Sequence, residues 1–488
     1  MEPIVSLKPV IAVAVSGLAV PLILASRKNP NLREFWSFLA AFIKFGIVLS
    51  LIPVIMSGNT IEYTLFTVLP GIELKFRVDS LGLLFATTAS FLWIITTAYS
   101  IGYMRTLKEK DQTRYFACFA IALFSAIGVA FSANLFTLYL FYEILSIMTY
   151  PLVAHHEDKE GLEGGKKYLV YLVGMAKTCL LGAIVITYMT TGTLDFVKGG
   201  VFTNSMPAIL VIIAYVGFLA GFAKAGIMPL HNWLPSAMVA PTPVSGLLHA
   251  VAVVKVGVFS IVRIMFDIMG IDILRDLHLG IPTALFVSFT IITASIIALT
   301  KDDLKARLAY STVSQLSYII LGVALTTKSG MIGGMLHIAN HAVSKITLFF
   351  CAGSIYVSSH LKKISMIGGI GKKMPWTMAA FTIGSFSMIG VPAFAGFTSK
   401  WYMSVGAIDA NTSILMFVLL ASTVLNAAYF LPVVFTAYFG EVHKDSNMDE
   451  VKESPPFVIV PIVITAVLTV VIGIWPGYFV ALAERMIG

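Results

Sequence analysis

Charged side chains are scarce in this sequence: they make up 12% of 488 residues, while 58% are hydrophobic. A soluble chain carries about 25% charged residues, so a water-facing globular domain is excluded as the main architecture. Cysteine is scarcer still. Cys118, Cys179 and Cys351 lie singly within apolar runs, without a CxxC spacing. They support neither a disulfide framework nor an iron–sulfur or zinc site, and helix packing is the better reading. No HExxH and no nucleotide-binding glycine motif ahead of a helix is present. No redox centre and no cofactor is expected in this chain.

What the chain has instead is long apolar runs. Stretches of about 18 or more apolar residues recur throughout, the mark of membrane-spanning helices. Fourteen spans are expected, near 8–26, 36–56, 80–101, 115–132, 134–153, 168–190, 207–228, 245–266, 282–299, 308–326, 331–357, 375–399, 412–438 and 457–480. The first lacks a small-residue cleavage site after a basic start and is expected to be retained. The expected class is thus an all-α polytopic membrane protein with short loops.

The net charge of +8 reports topology rather than a nucleic-acid footprint. Loops after odd-numbered spans hold most of the Lys and Arg, including Arg27, Lys28 and Arg33, then Arg105, Lys108, Lys110 and Arg114, and Lys159, Lys166 and Lys167. Lys301, Lys305, Arg307, Lys362, Lys363, Lys372, Lys373, Lys444 and Lys452 continue the pattern. The positive-inside rule places these loops in the cytoplasm and both termini on the outer side of the cell (inner) membrane.

Two spans are interrupted. The seventh ends in "GIMPLHNWLPSAMVAPTPVSG", and the twelfth carries "MIGVPAFAGFTSKWY" with Pro392 inside it. Backbone groups freed by such breaks need protein or water, so broken membrane helices commonly line a polar cavity. Breaks five spans apart suggest two inverted five-helix repeats. The expected division is 1–110 (helices 1–3), 111–268 (helices 4–8), 269–440 (helices 9–13) and 441–488 (helix 14).

Ionisable groups inside spans are rare because each costs about 2.5–3.5 kcal/mol at the helix centre on insertion scales. Here they recur: Glu143, Lys177, Lys224, His249, Lys255, His337, His341, Lys345 and Lys400. Plainer readings compete for several. Lys400 can snorkel if its span ends nearby, His249 can serve as a helix–helix hydrogen bond, and Lys177 can be a packing residue. Positions 337, 341 and 345 share one helix face and cover about 12 Å of axis, a ladder that water could bridge for proton relay. HxxxH spacing also suits a metal, but the fourth position is Lys345, which disfavours that reading. Burial disfavours the charged form of a lysine and a nearby carboxylate favours it, so pairing Glu143 with Lys224 would tune the latter for proton exchange.

Four motifs, "MPLHNWLPSAMVAPTPVSGLLHA", "DDLKARLAYSTVSQLSY", "HIANHAVSKITLFFCAGS" and "GFTSKWY", resemble the antiporter-like subunits shared by respiratory complex I, Mrp-type cation/proton antiporters and membrane-bound hydrogenases. The resemblance runs from about residue 80 to 440. It implies fourteen core helices, inverted repeats, broken seventh and twelfth helices, and a switching ion pair of Glu143 and Lys224. It further implies relays of His249 and Lys255 on the eighth helix and of His337, His341 and Lys345 on the eleventh, with Lys400 as the twelfth-helix terminal site. Some members have glutamate where this chain has Lys400. Lys177 is not carried over and stands as a candidate additional relay. The function expected is translocation of H⁺, alone or in exchange for Na⁺, within a complex of other membrane subunits. A quinone-binding membrane oxidoreductase subunit and a stand-alone secondary cation/proton transporter are the alternatives.

Overall fold

The computed structural model describes residues 3–443 and 448–488; Lys444, counted above among the basic loop residues, lies outside them. Eleven described helices are long and apolar enough to cross a membrane. They are α1 (Lys8–Ala25), α2 (Pro30–Met56), α3 (Ser80–Thr106), α4 (Gln112–Ala130), α5 (Leu135–Val153), α6 (Lys159–Thr191), α8 (Thr242–Met269), α9 (Gly280–Leu299), α11 (Lys328–Ser359), α13 (Ser413–Phe439) and α14 (Pro456–Ile474). Three more complete the set of fourteen. α7 (Ala208–Gly221) is cut short by its break, α10 (Leu304–Ala324) is rich in Ser and Thr, and α12 is split into Pro375–Ile389 and Ala395–Asp409. The chain is therefore a multi-pass membrane protein whose spans are all helical.

Burial separates the helices into a centre and a rim. α8 is buried along its whole apolar stretch and α11 along most of its own, whereas α1, α2, α6 and α13 bury a third or less. A helix apolar all round is one surrounded by others. That these two helices carry His249, Lys255, His337, His341 and Lys345, all of them buried, is what makes their burial informative.

Two features differ from the sequence reading. The span expected at 457–480 ends at Ile474, because Pro476 starts a separate amphipathic helix, α15 (Gly477–Ile487). Between α2 and α3 lies a hairpin, β2 (Ile61–Leu69) and β3 (Ile72–Val78), joined by parallel pairing to β1 (Ile4–Val5). Its turn is Pro70–Gly71, where Gly71 adopts a φ of 80°, open to glycine at little cost. α15 brings Arg485 towards Gly58, so both ends of the chain lie on the hairpin side.

β3 is tied to the helices by a buried ion network absent from the sequence reading. Arg263 of α8 donates through both terminal nitrogens to Asp79, the N-cap of α3, and at 2.7 Å to Asp267. Arg77 joins at 3.4 Å from Asp267 and donates to the Phe196 carbonyl at 2.7 Å. Burial alone would raise the Asp79 carboxyl, but Arg263 and Arg77 outweigh it and hold it at about 2. Asp79→Asn should cost about 1–3 kcal/mol, because Arg263 and Arg77 then share Asp267 alone and a charge-assisted buried hydrogen-bond pair is lost, read as a lower melting temperature. Because the folded carboxyl titrates below its ordinary 3.8, this contribution is complete above that pH and is lost as pH falls through about 2. A melting temperature unchanged at neutral pH would show that the network does not hold the hairpin side together.

Candidate functional site

The break in α7 follows from local sequence. α7 stops at Gly221, Lys224 sits in the single 3₁₀ turn Ala223–Ala225, and Gly226 takes a φ of 68°. Pro229 and Pro235 lack the N–H a continued helix needs. The freed groups find partners: the Trp233 indole donates to the Ala223 carbonyl at 3.1 Å, and the Met228 N–H donates to Thr290 at 3.2 Å. α8 runs directly against this turn. A Cβ on Gly257 would lie 2.3 Å from the Ala225 nitrogen, so glycine is what permits the approach.

Lys224 is fully buried. Its ammonium donates to the Tyr142 carbonyl at 2.9 Å and to Ser146 Oγ at 2.6 Å, and lies 3.1 Å from the centroid of the Tyr142 ring. Glu143 is next in sequence to Tyr142 yet makes no ion pair with Lys224 among the described residues. It is half-buried on the side of α5 that carries exposed Leu140 and Ile147, and its Oε1 has no hydrogen-bond partner. The two are electrostatic neighbours rather than a contact pair. The expected contact is corrected accordingly: helix geometry turns consecutive residues 142 and 143 to different faces, and only the first meets the lysine.

α8 begins at Thr242 and passes through a π-turn, Leu247–Val251, that contains His249. Such turns leave backbone groups displaced and are frequent at functional sites. Among the described residues, both nitrogens of His249 are buried without a partner, as is the ammonium of Lys255. His341 on α11 is likewise unpartnered and lies within electrostatic reach of Lys255, Lys345, His337 and His249. The rings of His337 and His341 are 5.8 Å apart, as i,i+4 stacking requires. His337 has both nitrogens engaged, Nδ1 with Ser399 at 2.8 Å and Nε2 with Gln315 at 3.0 Å. Lys345 turns to α10, donating to Ser311 Oγ at 2.8 Å.

The α12 break closes the row. α12 stops at Ile389, Gly390 takes a φ of 96°, and the helix resumes at Ala395. Lys400, from the second half, donates to the Met388 and Ile389 carbonyls at 2.8 and 2.9 Å. These are orphan acceptors at the C-terminal end of the first half, where a cation is favoured. Lys400 is buried, which removes the snorkelling reading.

The structure thus buries Lys224, His249, Lys255, His337, His341, Lys345 and Lys400; the last six form one row of electrostatic neighbours, and Lys224, with Glu143 as its neighbour, joins it where its turn packs on α8 at Gly257. Lys177 stands outside it, exposed on α6. Sequence reading missed the neutral partners, Ser146, Ser311, Gln315 and Ser399, whose spacing carries no signal of its own. It also missed Lys44, fully buried in α2, whose ammonium donates to Ser16 at 2.6 Å and the Leu123 carbonyl at 3.2 Å. There the signal was available, a lysine within an apolar span.

Fold and site define a class: a polytopic membrane protein threaded by buried lysines and histidines between two broken helices. The chain belongs to the family described as "NADH:quinone oxidoreductase/Mrp antiporter, TM", which matches residues 132–426. It is 32% identical to the NADH-quinone oxidoreductase subunit N of Desulforudis audaxviator, over 83% of this chain and 82% of that one. It is 28% identical to a putative antiporter subunit mnhA2 of Staphylococcus haemolyticus, over 92% of this chain but 59% of that longer protein. Its fold is similar to a chain in the structure of the Mrp complex from Dietzia sp. DQ12-45-1b, with a TM-score of 0.85 at 19% identity over 98% of this chain and 97% of that one.

Gly257→Ala tests the contact on which the Lys224 turn rests. Forcing α8 away from it should cost about 1–3 kcal/mol, visible in thermal denaturation of the purified protein. An unchanged melting temperature would mean that the two backbones are not so closely held.

Proposed function

We propose that this chain is a proton-translocating subunit of a multisubunit membrane complex, moving H⁺ alone or in exchange for Na⁺. The observation that carries the reading is the buried row from Lys224 to Lys400. Each end is a lysine at a helix break, and between them lie Lys255, His249 and His341, whose nitrogens have no protein partner. Buried polar atoms left unpartnered by protein are where ordered water is expected, and water between such groups gives protons a path. Glu143 serves as the charge that biases Lys224 from outside contact distance. Lys400 serves as the terminal site.

The relatives support the assembly. One is named as a subunit of a quinone oxidoreductase, another as an antiporter subunit, and the similar fold occurs within an Mrp complex. The partners proposed are accordingly other membrane subunits, with the driving reaction held elsewhere in the complex. The breaks in α7 and α12 accord with a division into repeats over 111–268 and 269–440, preceded by 1–110 and followed by 441–488. Charge asymmetry supports a cell-membrane orientation with the basic loops in the cytoplasm and both termini outside.

The intact complex, reconstituted into liposomes with an interior pH dye, tests this. Lys224→Met and Lys400→Met should each slow proton transport roughly tenfold, equivalent to about 1.4 kcal/mol on the limiting barrier, with assembly intact. Glu143→Gln should slow it less, because it acts through Lys224 without contact. Wild-type proton transport in both lysine variants would overturn the reading.

A further inference from the structure

Lys177 has no role in the row, and its place in the membrane is harder to explain than that of the buried lysines. α6 spans Lys159–Thr191, about 50 Å of helix, and Lys177 falls near its middle. The apolar part of the helix runs from about 168 to 190, so the nearer membrane edge is about 13 Å away, farther than a lysine side chain can snorkel. The residue lies in a π-turn, Ala176–Leu180, and its side chain is exposed on the outer surface. Around it are exposed apolar residues, Val170 and Leu181 on α6 and Ile147 on α5. Hydrocarbon cannot solvate an ammonium group there.

The surface at this point is a shallow, open groove of about 470 Å³ between α5 and α6, lined by Ile147, Tyr150, Leu169, Val173, Gly174 and Lys177. Nothing lies within 4 Å of where a Cβ on Gly174 would stand, so the floor is open to close approach by another helix, the arrangement small residues permit in membranes.

Charge decides what kind of helix fits. Glu143 has both Lys224 and Lys177 as electrostatic neighbours, and its Oε1 has no partner. Lys177 reaches Glu143 only as an electrostatic neighbour and forms no ion pair among the described residues, so the ammonium group on this surface has no contact anion from its own chain.

We propose that the α5–α6 groove seats a membrane-spanning helix of a neighbouring subunit, and that this helix presents a carboxylate to Lys177. The inference rests on the reading of the chain as a subunit and names the surface and chemistry of one contact. It makes Lys177 an assembly residue.

The test uses the intact complex purified from its host, with a photoreactive benzoyl-phenylalanine in place of Val173. Irradiation should give an adduct on a different subunit, within a membrane span that carries Asp or Glu. Lys177→Glu should lower the yield of assembled complex by about tenfold, as expected when like charges are set face to face, while Lys177→Arg assembles normally. Exchanging the cross-linked carboxylate for lysine should restore assembly of Lys177→Glu, which separates a contact from a folding defect. Adducts on lipid, on a second copy of this chain or on a span without a carboxylate would overturn the inference, as would wild-type yield of Lys177→Glu or failure of the exchange. A chain that purifies free of other subunits would overturn the subunit reading as well, whereas a whole complex cross-linked elsewhere would overturn only this contact.

Discussion

The arrangement depends on one constraint: an ammonium group inside a membrane must be solvated by something fixed in the protein. Among the described residues, Lys224, Lys345 and Lys400 each meet neutral acceptors and no carboxylate. Carbonyls are available for this only where a helix is interrupted or where an acceptor can be shared. The break in α12 exposes the Met388 and Ile389 carbonyls that hold Lys400. The turn after α7 instead aims Lys224 at a shared acceptor, the Tyr142 carbonyl of α5, which also receives Ser146 Oγ at 3.1 Å. Helix breaks and buried lysines thus come together because each satisfies what the other leaves open.

The same constraint explains the packing around them. α8 can approach the Lys224 turn because Gly257 has no Cβ, and α11 can pass beside α12 because Gly333 would otherwise meet the Met403 backbone at 2.7 Å. The ion network of Arg263, Asp79 and Asp267 anchors the far end of α8, so the helix that carries His249 and Lys255 is held at one end by charge and at the other by the irregular chain before Thr242.

Much of the fold was legible because hydropathy is a one-dimensional signal: a bilayer demands about twenty apolar residues per span, and the chain supplies them. The two broken spans were legible through Pro229, Pro235 and Pro392. What the sequence did not disclose is direction around a helix axis. Glu143 and Tyr142 are adjacent, and nothing in their order says which faces Lys224; only packing against α7 decides it. The π-turns at His249 and Lys177 were equally hidden, since no residue type in them marks a π-turn. The hairpin at 61–78 was marked by alternation around Pro70–Gly71 and was passed over because neighbouring apolar runs dominate the pattern. Lys44 was passed over for the opposite reason, as a single charge within one of the most apolar spans.

Solvation along the row is uneven, and that unevenness gives it mechanistic interest. Lys224 and Lys400 are each held by two strong acceptors, whereas Lys255, His249 and His341 have none from protein. Fixed acceptors position a cation, and nitrogens without a protein partner are the ones left to exchange protons with water. A row in which every group were saturated would store protons without passing them, and one with no fixed ends would have nothing to set where transfer starts and stops. Under the proposed function, the breaks therefore do two things at once: they supply the acceptors that fix the terminal lysines, and they confine the exchangeable groups to α8 and α11 between them.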